Sequence, residues 1–116
     1  MPVNRSTRQS QDAVELLKGM GELYRRGGQV QRGLVMLLIA AHLSPDDPAL
    51  LRSLATAFTA GGQPDRALRA IDRLTKIEGD SPDLLLLRSR ALWRAARKVE
   101  ARQCFKDYLI ARRAAQ

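Results

Sequence analysis

The stretch PALLRSLATAFTAGGQPDRALRAIDRLTKIEGDS, residues 48–81, decides the fold because it is the middle one of three aligned copies of a 34-residue pattern. The other copies begin at Val14 and Pro82 and follow without insertion. With Val14, Pro48 and Pro82 as position 1, large apolar residues recur at position 4 (Leu17, Leu51, Leu85), position 11 (Tyr24, Phe58, Leu92) and position 24 (Leu37, Ile71, Phe105). Small residues recur at position 8 (Gly21, Ala55, Ser89) and position 20 (Gly33, Ala67, Ala101). Position 15 holds Gly28, Gly62 and Ala96, midway along each copy, where a helix must close. The spacing predicts two helices per copy and an all-α fold.

Turn chemistry sets the boundaries. Gly27-Gly28 and Gly61-Gly62 end first helices, and the turns 44–48 and 78–82 separate the units. Pro48 and Pro82 suit the first helical position, where the missing N–H would have no partner, with Asp47 and Ser81 as caps. Asp12 with Glu15 three residues on has the spacing of a capping box and predicts a first helix starting near residue 13. Residues 1–12 are then a flexible polar N-terminus, and residues 13–112 are the repeat domain, with repeats at about 14–47, 48–81 and 82–113. A helix-turn-helix repeated every 34 residues resembles the tetratricopeptide family. The resemblance implies a short right-handed solenoid of three units, close to the fewest that make a stable stack.

Composition narrows the function. A hydrophobic share of 45% is that of a folded domain. The longest apolar run, Leu34 to Ala41, is too short to span a bilayer, and the first residues lack a signal-peptide core. The expected location is the bacterial cytoplasm. One cysteine, Cys104, forms no internal disulfide and falls at position 23, expected on the outer face. His42, the one histidine, has no neighbouring base or ligand partner in the pattern. No metal set, nucleophile–base pair or phosphate loop stands out, so neither an enzyme nor a cofactor is expected. The net charge of +8 is concentrated: residues 88–116 carry 9 basic and 2 acidic side chains, against 11 and 10 in residues 1–87. Nucleic acid is not the expected partner, because the five aromatic residues sit mostly at core positions and leave no stacking platform. An acidic surface on a protein fits the charge better.

By helical spacing and by the resemblance to the tetratricopeptide family, positions 2, 5, 9 and 12 of each first helix point into a concave groove. They are Glu15, Lys18, Glu22 and Arg25, then Ala49, Arg52, Thr56 and Thr59, then Asp83, Leu86, Arg90 and Trp93. Trp93 is the sole tryptophan. It suits a partner contact, since tryptophan and arginine dominate interface hot spots, and equally suits packing under the last helix. Positions 22, 23, 25 and 26 of each second helix should be its solvated back. The first unit instead places Val35, Met36, Leu38 and Ile39 there. A helix apolar all round is covered all round, by the N-terminal segment, by a second copy in a homodimer, or by a partner helix.

A lone three-unit chain of this size resembles the small tetratricopeptide chaperones of bacterial type III secretion. It is most similar to the YscY family, on Leu16-Leu17-Lys18-Gly19, Gly28-Gln29-Val30-Gln31-Arg32-Gly33, Leu87-Arg88-Ser89-Arg90-Ala91 and the run from Ala101 to Leu109. That resemblance implies binding of a small secreted protein of the YscX kind and a contribution to the export gate. The YscG-type needle-subunit chaperone is the second resemblance, and it implies a groove holding an amphipathic helix of the needle protein; a general tetratricopeptide scaffold for protein interactions, unrelated to secretion, is the remaining alternative. Arg88 and Ser89 at positions 7 and 8, and Arg113 for proline at position 32, depart from the repeat pattern. Glu22 and Thr56 stand where a carboxylate clamp needs asparagine, so that function is not implied.

The small residues at positions 8 and 20 have a mechanical meaning: paired helices come within about 8–10 Å only where side chains are short. Ala67→Leu is expected to lower stability by about 1–3 kcal/mol through overpacking, measured by chemical denaturation, and an unchanged midpoint would refute the close approach.

Overall fold

Three sharp turns and two capped turns divide the chain into six helices among the described residues, which in this computed structural model are 5–116. They are α1 (Arg5–Arg26), α2 (Val30–Leu43), α3 (Pro48–Ala60), α4 (Pro64–Glu78), α5 (Pro82–Arg94) and α6 (Lys98–Ala114). The fold is all-α, with the helices packed as sequential pairs, α1 on α2, α3 on α4 and α5 on α6. The pairs stack in chain order through α2–α3 and α4–α5. First helices also meet one another, α1 with α3 and α3 with α5, whereas second helices do not. The architecture is consistent with a helical repeat protein. Its Cα radius of gyration of 15.5 Å exceeds the roughly 13 Å of a compact domain this long, as an open stack requires.

The capped turns form as the sequence predicts. The Asp47 carboxylate accepts the Leu50 N–H at 3.2 Å, and the Ser81 hydroxyl accepts the Leu84 N–H at 3.4 Å. The three hairpins close identically. Gln29, Gln63 and Arg97 donate their N–H groups five residues back, to Tyr24, Phe58 and Leu92, at 2.8, 2.8 and 3.0 Å. This six-to-one bond needs a left-handed residue just before the donor. Gly28 and Gly62 supply it with φ of +85° and +76°, but in the third hairpin Ala96 takes φ of +62°.

Within each pair the helices touch at positions 8 and 20. A methyl group on Gly33 would come 2.6 Å from the Gly21 carbonyl oxygen, and one on Gly21 would come 2.7 Å from the Leu37 side chain. The matching residues Ala55 and Ala67, then Ser89 and Ala101, are all buried. Around these contacts the core runs continuously along the stack, with Leu37, Leu50, Ile71 and Leu74 almost fully enclosed.

Four expectations need correction. Helix α1 starts at Arg5, not near residue 13, since nothing in residues 5–12 breaks a helix. Asp12 is therefore an exposed residue inside α1 and caps nothing, while residues 1–4 of the expected flexible N-terminus lie outside the described residues. Cys104 is buried, not on the outer face, and its thiol donates to the Leu85 carbonyl at 3.3 Å. Position 23 lies three residues after position 20 and four before position 27, which puts it on the buried stripe, where Ala70 sits too. Phe105 is 43% exposed although its equivalents Leu37 and Ile71 are fully buried, because among the described residues no hairpin packs over α6 as the second and third pack over the first and second.

Ala96→Gly should raise stability by about 0.5–1 kcal/mol, since the left-handed conformation penalises a side chain. Gly33→Ala should lower it, because the added methyl meets backbone. Denaturant midpoints that move the other way would contradict these turn and contact assignments.

Candidate functional site

Residues at one register position meet different surroundings in the three units, and that difference locates the site. At position 5, Lys18 Nζ donates to the Asp47 carboxylate at 3.0 Å and to Glu15 at 3.2 Å. Asp47 is the cap of α3, so this pair ties α1 to the helix that stacks on it. Arg52 repeats the arrangement one unit on, with Nε 3.0 Å from the Asp83 carboxylate in the first turn of α5 and Nη1 3.2 Å from Glu78. At positions 9 and 12, Glu22 and Arg25 form a half-buried ion pair at 2.8 Å. Thr56 and Thr59 donate to the Arg52 and Ala55 carbonyls at 3.1 and 2.8 Å. These six side chains, predicted as groove residues, are thus engaged within the chain.

Position 5 of the third unit is Leu86, position 9 is Arg90 and position 12 is Trp93, and among the described residues no helix stacks on them. With Phe105 they form an open cleft of about 570 Å³ between α5 and α6. Leu86, Trp93 and Phe105 make its apolar floor, and Arg90, Arg102 and Lys106 line it with positive charge. Trp93 is 53% exposed, with the Lys98 ammonium 5.5 Å above its ring, so it is not packed beneath α6. Among the described residues no ion pair engages Arg90, Arg102 or Lys106. Nearby Arg88 is bound to Asp72 at 2.7 Å and Arg97 to Glu100 at 2.6 Å.

The second predicted surface is the back of α2. Val35, Leu38 and Ile39 are exposed there, and so is Leu43, while Met36 is half-buried at the same register as Ala70 and Cys104. Residues 5–12 prolong α1 as helix and leave Val35, Leu38 and Ile39 uncovered. A third apolar surface escaped the sequence analysis. Leu16 and Leu23 on α1 are 64% and 74% exposed. Their equivalents at positions 3 and 10, Leu50 and Ala57 on α3 and Leu84 and Ala91 on α5, are buried against the preceding hairpin. The signal was present in the alignment: an apolar residue at those positions in the first unit meets no other hairpin among the described residues.

The electrostatics of the stacking pairs follow from partial burial. Burial works against both members of the Lys18–Asp47 pair, yet their mutual hydrogen bond and attraction outweigh it, raising the lysine and holding the aspartate below its ordinary 3.8. The Ser81 hydroxyl, more than the Arg52 guanidinium, lowers Asp83. Glu22 is also lowered, its burial overcome by bonds from Arg25 and Ser53 and by the charge of Arg25 and Arg26. Burial raises the Cys104 thiol, so it stays protonated and is a weak nucleophile. His42 is exposed. Among the described residues no group of His, Cys, Asp and Glu side chains is placed to hold a metal ion, and no helix is long and apolar enough to cross a membrane.

No family model matches the chain, and neither does any curated protein.

A carboxylate lowered in the folded state stabilises it above the ordinary value, and the stabilisation disappears as pH falls through the lowered one. Stability should therefore be flat from about pH 7 to pH 5 and fall below about pH 4. Asp47→Asn, which keeps a cap but loses the charge, should lower stability by about 0.5–1 kcal/mol at pH 7. The gap should shrink as pH falls through the lowered value of Asp47, as read from thermal melts across pH. A gap that persists at low pH would show the asparagine to be a poorer cap and not a lost ion pair.

Proposed function

We propose that the chain is a short right-handed tetratricopeptide solenoid that acts by binding and not by catalysis. In this reading it is a cytoplasmic chaperone of a bacterial type III secretion system. It shelters an apolar helix of a small secreted or export-apparatus protein of the YscX kind until that protein reaches the export gate. The observation that carries the reading is the open cleft at Leu86, Trp93 and Phe105, an apolar seat at the end of a helical stack. A helix laid in a groove gains its affinity from apolar anchors in such pockets. The uniform 34-residue spacing and the three identical hairpin closures favour the YscY-like reading over the YscG-like one, whose repeats are less regular. The exposed back of α2 supports a second contact, with the same partner or, in the free chain, with a second copy as a homodimer.

Light scattering coupled to size exclusion tests this, on the chain alone and on the chain co-expressed with the products of flanking genes. A one-to-one complex with a small neighbour bearing an apolar helix is the expected result. A monodisperse monomer that binds none of those products would refute it. In such a complex Trp93→Ala should weaken binding about tenfold or more while changing folding little, as for a hot-spot tryptophan. Equal losses in both would make Trp93 a structural residue. Val35→Glu with Ile39→Lys should abolish self-association of the free chain, and an unchanged dimer would place the homodimer contact elsewhere.

A further inference from the structure

The stack contains two internal seats, and both are filled. The hairpin α1–α2 receives α3, and the hairpin α3–α4 receives α5. Each incoming helix brings buried apolar residues at positions 3 and 10, Leu50 with Ala57 and Leu84 with Ala91. Each also brings an acid at its N-terminus to the position-5 cation of the hairpin it enters, Asp47 to Lys18 and Asp83 to Arg52. The second seat adds a further pair, Arg88 at position 7 of α5 with Asp72 at position 25 of α4. The hairpin α5–α6 is the same seat, one unit on, and it is open. Its polar code differs in two places. Position 5 is Leu86 where the filled seats have a cation, and position 25 is Lys106 where the second seat has Asp72.

We propose that this third seat takes an amphipathic helix of a partner protein, in the register and direction of α3 and α5, with an inverted charge code. The occupant is apolar at positions 3 and 10, apolar in its first turn against Leu86, and acidic at position 7 against Lys106. Further acids along its edge face Arg90 and Arg102. The proposal rests on the binding function above and specifies the ligand of its cleft.

Charge selects a partner over a second copy of this chain. Among the described residues α1 is the first helix that enters no preceding hairpin, and it has the right apolar positions in Leu16 and Leu23. It has Met20 at position 7, however, and five basic against three acidic side chains along its length. It therefore brings no acid at position 7 to Lys106, and its net charge has the sign of the cleft. In a cleft of this sign, opposed charges favour the occupant and like charges exclude it.

Two peptides of residues 48–60, the helix that fills the first seat, serve as probes. They are identical except that one carries Leu54→Glu and the other Leu54→Lys, both at position 7. Neither contains tryptophan, so the fluorescence of Trp93 in the full-length chain reports binding. The acidic probe should bind about tenfold or more tightly than the basic one and shift Trp93 emission to shorter wavelength. Lys106→Glu, an exposed change, should reverse the order. Equal binding of the two probes, no binding of the acidic one, or an order untouched by Lys106→Glu would overturn the proposal. So would a Trp93 shift in the free chain that grows with concentration and is lost in Leu23→Glu, since a second copy would then fill the seat. The two readings fail separately. A neighbour complex that survives Lys106→Glu unweakened would remove the charge code and keep the chaperone, whereas probe binding without any neighbour complex would do the reverse.

Discussion

Everything in this structure depends on how closely two helices of a hairpin approach at positions 8 and 20. Where Gly21 faces Gly33 there is no room for even one methyl group, and the backbones are nearly in contact. That approach aligns the apolar residues at positions 4, 11 and 24 into one wall per hairpin, against which the next hairpin can pack. Alanine and serine serve the same purpose in the later units. Because each wall is completed only by its neighbour, stability is shared along the stack and no unit holds its core alone.

The same dependence leaves an apolar surface open. Among the described residues the third hairpin carries an open half-seat, which presents apolar residues of the kind that the first two hairpins have covered. Natural repeat proteins usually close such ends with polar capping residues. Here the last hairpin keeps a phenylalanine at the register of Leu37 and Ile71, adds a tryptophan, and surrounds both with arginine and lysine. Three of the nine basic side chains of residues 88–116, Arg90, Arg102 and Lys106, line this seat. In the interior, Lys18 and Arg52 are satisfied by acids of the incoming helix. At the end, comparable cations stand without ion pairs.

Most of the architecture was legible from the sequence because its signals are local. The 34-residue register, the caps at Asp47 and Ser81 and the glycines at the hairpin turns are chemical requirements of single positions. What the sequence obscured were properties of neighbourhood. The true start of α1 was hidden because a polar segment without a breaker reads as loop, yet it continues a helix that packs on α2. Cys104 was misplaced because the buried stripe of α6 is one residue wider than the pattern implied. Phe105, Leu16 and Leu23 follow the repeat faithfully and are nevertheless exposed, since a periodic pattern does not announce where its neighbours stop. For the candidate site, the choice of Leu86, Arg90 and Trp93 was possible from spacing. Only the packing distinguished them from Lys18, Glu22, Arg25, Arg52, Thr56 and Thr59, which are engaged in stacking pairs and local hydrogen bonds.

Amide hydrogen exchange on the chain alone and on its complex with a co-expressed neighbour tests the central claim most directly, because it reads each helix separately under one condition. The account predicts that bound partner slows exchange in α5 and α6, centred on the turns that carry Leu86, Trp93 and Phe105, and leaves α1 nearly unchanged. Slowing confined to α1 or to the back of α2, with α5 and α6 exchanging as in the free chain, would contradict it and would mean that the open seat at the end of the stack is not where the partner binds.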